Sequence, residues 1–199
     1  MPKAFSRTER ETIRRRLLDV GRENFSRFGF RKANVAEICR SVGIAKGSFY
    51  LFFESKEALF LAMFEEIETE IRSDLVAELE QLRDDPKAMF KHFLSKAFQL
   101  LETHPVLRIL ADPEESQALF RKIPEAKLHA NQEDDDAFFG HLLAGWQQEN
   151  IIVPGDPLVM AGLIRAILAL ALQRELIGDR YHEIMDLLID SLTDALVIV

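Results

Sequence analysis

Cysteine is nearly missing from this chain of 199 residues: Cys39 is the only one. A disulfide within the chain is therefore impossible, and Cys39 is expected to be a small buried apolar residue in a reducing cytosol. Long apolar runs are scarce too. The most apolar stretch, residues 157–172, carries Arg165 inside it and falls short of the roughly 20 residues that a membrane span needs. The basic N-terminus passes into a polar stretch from Glu9 to Arg16 instead of an apolar leader core. These absences set the expectation of a cytoplasmic protein that does not enter a membrane. No alternating apolar and polar run is long enough for a strand, and there is neither an internal repeat nor a low-complexity tract. Catalytic signatures are lacking as well: no nucleophile paired with a base, no phosphate-cradling glycine loop, no metalloprotease motif. The expectation is a protein that is not an enzyme and uses no cofactor.

What the sequence does have is apolar residues three or four apart almost everywhere, so the fold reads as all-α, with about nine or ten helices. Its charge is segregated. The formal net charge is −8, yet residues 1–60 hold 13 Lys and Arg against 7 Asp and Glu, a net of +6, and the remainder holds 12 against 26, a net of −14. A basic head on an acidic body confines attraction for phosphates to one end of the molecule.

In the first helix Ile13, Leu17, Val20, Asn24 and Phe28 fall on a common face with Phe25 beside them, and Gly29 ends it. Asn34 then stands as an N-cap three residues before Glu37, the spacing of a capping box. A helix of about two turns follows, to Ser41. Gly43 can take the left-handed backbone of a tight turn, apolar Ile44 can plug the angle, and residues 45–52 make a second short helix. Two short helices across a tight glycine turn in a basic region have the layout of a DNA-binding helix-turn-helix. Ser55 caps a long helix whose apolar row is Phe60, Phe64, Ile67, Ile71, Leu75 and Leu79; at roughly 40 Å it could join head to body. Prolines at 86, 105, 113, 124 and 157 mark further helix starts, with Asp85, Asp112 and Asp156 as caps. The domain division expected is residues 1–54 as a three-helix head and 55–199 as a larger helical body.

The stretch Phe28-Gly29-Phe30, then Asn34-Val35-Ala36-Glu37-Ile38, then G-I-A-K-G-S-F-Y-L-F-F-E-S-K-E-A-L from Gly43 to Leu59 closely resembles the N-terminal signature of the TetR family of transcriptional regulators, over about residues 10–62. The resemblance implies that the helix from Lys46 to Phe52 enters the major groove, with Lys46, Gly47, Ser48, Leu51 and Phe52 at or near base edges. The chemistry agrees: Lys46 can donate to guanine, Ser48 to a base or phosphate, and Leu51 can pack on a thymine methyl. Tyr50 and Lys56 match family positions that hold phosphates, and Asn34 sits at a helix N-terminus that favours one. Ala45 departs from the family, which has a capping serine or threonine there. Phe49 and Phe53 are assigned to the core, and the run Arg14 to Arg16 reads as a solvated face that could add backbone contacts.

For the body the resemblance implies an apolar or amphipathic effector among the middle helices. Candidate walls are Phe93, Ala97, His104, Leu107, Phe120, Phe138, Leu142 and Trp146, although a helical stripe of aromatics is ordinarily core. His129 and Glu133 have an i, i+4 spacing that could grip a metal, but Glu133, Asp134, Asp135 and Asp136 face different sides of a helix and read as solvated, so no metal site is expected. The last two helices, about 157–177 and 180–198, are the most apolar. In the family such a pair forms a four-helix bundle with its two-fold mate, implying a homodimer on a pseudo-palindromic double-stranded operator. The function implied is a ligand-responsive regulator, a repressor released when a small effector swings the long helix like a lever. The alternatives are a helical module that binds a protein partner, and an enzyme that has kept a helix-turn-helix.

Overall fold

The computed structural model describes residues 5–198, apart from the side chains at 126, 128, 130 and 131. Among the described residues the regular structure is eleven helices: α1 (Arg7–Lys32), α2 (Val35–Val42), α3 (Lys46–Phe49), α4 (Lys56–Gln81), α5 (Pro86–Thr103), α6 (Leu107–Ala111), α7 (Pro113–Phe120), α8 (Glu125–Gln148), α9 (Pro157–Ala171), α10 (Arg174–Ile177) and α11 (Tyr181–Leu196). The count exceeds the expected nine or ten because the chain beyond α9 breaks at Leu172 and forms α10 as a separate turn. One isolated antiparallel bridge joins Ile152 to Val197. No helix of the described residues is long and apolar enough to cross a membrane.

Local chemistry sets the starts of these helices. The Asp85, Asp112 and Asp156 carboxylates accept from backbone N–H groups in the first turns of α5, α7 and α9, each with proline just inside the helix. The Ser55 hydroxyl accepts from Ala58 N at 3.1 Å where α4 begins.

The chain forms two compact units, Met1–Ile71 with Arg108–Ile123, and Arg72–Leu107 with Pro124–Val199. In the first, the buried face of α1 is Leu17, Leu18, Gly21 and Phe25, one position round from the face expected, and Phe28 lies exposed under the Arg27 guanidinium. Gly21 explains the rotation. A Cβ there would meet Leu59 Cδ2 at 3.2 Å, so the missing side chain lets α4 close on α1 along that line. Phe25, Phe30 and Phe60 meet edge-on or stacked within 6.0 Å in the space beside it. The segment Arg108–Ile123 joins this unit through buried Leu119 and Ile123, and through Glu115, whose carboxylate accepts from Arg31 N at 2.8 Å.

The second unit is built on Leu75 and Leu79 of α4, Met89, Phe90, Phe93 and Leu94 of α5, Leu143 and Trp146 of α8, and the inner faces of α9 and α11. Loop residues Ile151 and Ile152 seal one end of it, held by Val153 N to Leu196 O at 2.8 Å and Ile198 N to Ile151 O at 2.9 Å.

Candidate nucleic-acid interface

The helix-turn-helix is shaped by short-range choices. Asn34 leaves the helical region (φ −119°, ψ 118°), and its Oδ1 accepts from Ala36 N at 2.8 Å, which starts α2. The reciprocal capping box expected with Glu37 forms instead at the start of α1, where Ser6 Oγ accepts from Glu9 N and Glu9 Oε2 accepts from Ser6 N at 2.7 Å. Gly43 ends α2 at φ +83°, a conformation nearly free of cost only for glycine, and its N–H donates to Cys39 O at 2.9 Å. The chain reverses there. Ala45 has the extended backbone of a cap but no side-chain cap bond, because a methyl offers no acceptor. Regular helix is confined to Lys46–Phe49, and the path to Phe53 continues as turns, with Phe52 N and Phe53 N donating to Phe49 O at 2.9 and 3.0 Å.

Beneath these turns Phe49 is fully buried and Phe53 nearly so, the Arg14 guanidinium lying 5.3 Å over the Phe53 ring. Above them Tyr50 and Leu51 stand 55% and 58% exposed, beside exposed Lys46 and Gly47 and half-buried Ser48. A phenol, an aliphatic tip, an ammonium and a bare backbone thus share one short segment. Phe52 is different: its ring packs at 5.9 Å against Phe5, with Arg10 above it.

Lys56 has a role in the fold that the sequence did not suggest. Its ammonium donates to Phe30 O at 2.6 Å, Ala33 O at 3.2 Å and Arg31 O at 3.4 Å, and lies 4.3 Å over the Phe30 ring. An ammonium has three protons, and three carbonyls at the end of α1 take them. Burial pushes the Lys56 pKa down, opposed by the charge of Glu57. Glu57, itself buried, is held below the usual carboxylate value: desolvation raises it, but its own N–H, the Ser55 hydroxyl and Lys122 at 3.4 Å outweigh that.

Asn34, Lys46, Tyr50 and Lys56 come together along a groove of about 540 Å³ that is also lined by Arg31, Lys32 and Lys122. Gly47, Ser48, Leu51 and Phe52 fall outside its lining. The arginine run is occupied within the head: Arg15 reaches Asp19 and Glu66, Arg16 donates to Ser41 O, and Arg14 covers Phe53.

Of the effector candidates, the second unit gathers Phe93, Phe138, Leu142 and Trp146. Phe93 meets Trp146 at 5.4 Å and 89°, Phe139 bridges Phe93 and Phe138, and Leu142 packs on the same core. Ala97 is half-buried on α5, His104 ends that helix with Nδ1 accepting from Leu107 N at 3.4 Å, and Leu107 is buried. Phe120 belongs to the first unit and is 43% exposed. Two acids read as solvated are partnered: Asp135 binds Arg72 at 2.5 Å and Asp136 binds Arg165, all four at least partly buried. Burial pushes Asp135 up against the opposing pull of Arg72, whose guanidinium also covers the Phe138 ring. Arg165 inside the most apolar helix was the signal, since a cation there needs a partner. His129 pairs with Glu125 at 3.7 Å, and among the described residues no three His, Cys, Asp or Glu side chains gather for a metal.

Residues 17–63 match the family model for bacterial regulatory proteins of the tetR family. The HTH-type transcriptional regulator YdgC of Bacillus subtilis (strain 168) is 41% identical over 59 residues, 30% of this chain and 30% of its own length. RutR of Escherichia coli (strain K12), also an HTH-type transcriptional regulator, is 27% identical over 146 residues, 71% of this chain and 65% of its own. The matches therefore span from under a third to just under two thirds of these relatives. Among solved structures, a TetR-family transcriptional regulator from Pectobacterium atrosepticum aligns with a TM-score of 0.74 at 20% identity, over 94% of both chains. RolR in complex with the ligand resorcinol aligns with a TM-score of 0.65 at 21% identity, over 94% of this chain and 90% of its own. At these identities the structural likeness establishes the fold.

Proposed function

We propose that the chain is a tetR-type bacterial regulatory protein, a reading supported by the family-model match over residues 17–63, and that it acts as a cytoplasmic, ligand-responsive repressor that binds a pseudo-palindromic operator as a homodimer. The observation that carries this reading is the exposed segment Lys46, Gly47, Tyr50 and Leu51, held up by the buried Phe49 and Phe53. Such a segment offers a donor to guanine, a van der Waals surface to a thymine methyl and a phenol to a phosphate, and the glycine lets the backbone come close. Residues 1–54 are the DNA-binding head in this proposal and residues 55–199 the effector and dimer body. Asn34, with Oδ1 spent on its cap, has its NH₂ end to offer a phosphate. Lys56 adds positive potential to the groove while its protons hold the end of α1.

In the body, the aromatic group Phe93, Phe138 and Trp146 with Leu142 supports an apolar or amphipathic effector, and the fold's occurrence in RolR bound to resorcinol supports a small-molecule ligand. Both α4 and the segment Arg108–Ile123 are continuous in sequence with the second unit, and in this proposal they are the routes by which effector binding in the body would act on the head. The effector acts by binding the DNA-incompetent state more tightly, about 1.4 kcal/mol for each tenfold difference in affinity.

Selection of bound duplexes from a random DNA pool with the purified protein tests this. Enrichment of a palindrome is expected; no enrichment at moderate salt would sink the proposal in favour of a protein-binding module. On the selected operator, Tyr50→Ala should weaken binding with the dimer intact by gel filtration, and unchanged binding removes Tyr50 from the interface.

A further inference from the structure

We propose that Lys122, far outside the helix-turn-helix in sequence, is a DNA phosphate contact, so that the α7 end of the segment between α5 and α8 belongs to the DNA-binding surface. The inference rests on the DNA-binding reading above and extends it. Lys122 lines the same groove as Asn34, Lys46 and Tyr50. Five cations and two carboxylates line that groove, which makes it a cleft for an anion, and a phosphodiester is the anion that the adjoining recognition segment would bring.

The cations differ in what they have left to give. Lys56 has its protons on three carbonyls, and Arg31 is engaged by Glu114. Lys122 is 57% exposed, and its contact with Glu57 at 3.4 Å is a long ion pair that it can exchange for a phosphate oxygen. Its backbone is fixed nonetheless. Lys122 N donates to Leu119 O at 3.1 Å, and Leu119 and Ile123 on either side are buried. A flexible cation on a rigid base, in a groove shared with three proposed DNA-contacting side chains, is the arrangement of a backbone clamp.

The consequence is regulatory. Arg108–Ile123 is continuous with the second unit at both ends, so a shift of this segment on effector binding removes a DNA contact directly, with no rearrangement of the recognition segment.

The experiment is the salt dependence of binding to the selected operator, using the full chain. Lys122→Ala and Lys122→Gln should each make the slope of log affinity against log salt shallower by about 0.9, and should weaken binding about equally on every duplex sequence. Glu57→Gln separates this from a purely structural role: it breaks the same ion pair but keeps the cation, so its slope should equal that of the wild type. Unchanged slopes in both Lys122 variants overturn the proposal, as does a Glu57→Gln slope that falls with them. A wild type with no salt-dependent binding overturns the DNA-binding reading itself, and this inference with it.

Discussion

At the scale of single residues, Gly47 separates what the fold needs from what binding needs. No atom lies within 4 Å of where its Cβ would stand, and its backbone is helical, so the fold has no use for a glycine there. Gly47→Ala should leave thermal stability unchanged or raise it by up to about 1 kcal/mol, while weakening operator binding if the proposed close approach of this backbone to a base is made, since the methyl would stand between them. Equal loss of stability and binding would place Gly47 in the fold instead. Lys56 behaves in the opposite way. Lys56→Met leaves three carbonyls at the end of α1 without their donor, at a cost of about 1–3 kcal/mol. Thermal unfolding should register that cost, and a melting temperature equal to wild type would show that water replaces the ammonium without loss. Sequence patterning found both residues but could not rank them. The carbonyls that hold Lys56 lie more than twenty residues away, which no local spacing reveals.

Elements were legible wherever a cap or a breaker is local. Asn34, Ser55, Asp85, Asp112 and Asp156 are short polar side chains just ahead of apolar periodicity, and each accepts a first-turn N–H. The face of α1 was misjudged by one position, because Gly21 carries no apolar side chain to count and yet sets where α4 approaches. Apart from Arg165, whose apolar surroundings called for a partner, the ion pairs between elements join residues too far apart in sequence for local spacing to show, and the pin from α4 to α5 shows their effect. Glu78 accepts from Lys96 at 2.6 Å and lies 2.8 Å from His92 Nε2, and Lys96 first, then His92, hold its pKa below the ordinary 4.5. A lowered carboxylate pKa means that the folded state binds fewer protons than the unfolded state. Its stabilisation is therefore present above about pH 4.5 and lost as the pH falls through the folded value. Glu78→Gln should cost at most about 1 kcal/mol at pH 7, since the group is partly solvated, and the cost should shrink steadily as the pH falls below 4.5. A difference from wild type that does not change between pH 7 and acid pH would mean that packing, not charge, is what the glutamate supplies.

The whole molecule poses the question of what covers its apolar terminal helices. On α9, Leu158, Val159 and Leu163 are exposed, and on α11 so are Ile184 and Leu187, with Leu187 at 69%. The inner faces of both helices are already packed on the second unit's core through Ala161, Ile164, Ile167, Met185 and Ile189, so these residues form a second apolar face on each helix. The sequence announced that excess, because α9 is apolar almost all round. It gave no sign that Arg108–Ile123 would pack with the head, a union made by contacts such as Glu115 with Arg31, 84 residues apart. On the function proposed above, a second copy of the chain is the partner expected on this face, since a two-fold pair is what a palindromic operator with half-sites about 34 Å apart calls for. Each head then supplies half the base contacts, and binding of the second is intramolecular once the first has docked. Leu187→Arg puts a charge into that face at a position where the monomer leaves it in solvent, so the folded chain should keep its helical content and its melting should lose any dependence on concentration. Sedimentation should give a monomer, and operator affinity should fall by orders of magnitude while a single half-site is bound as weakly as by wild type. If Leu187→Arg remains dimeric and keeps its operator, the α9 and α11 outer faces are not the dimer interface.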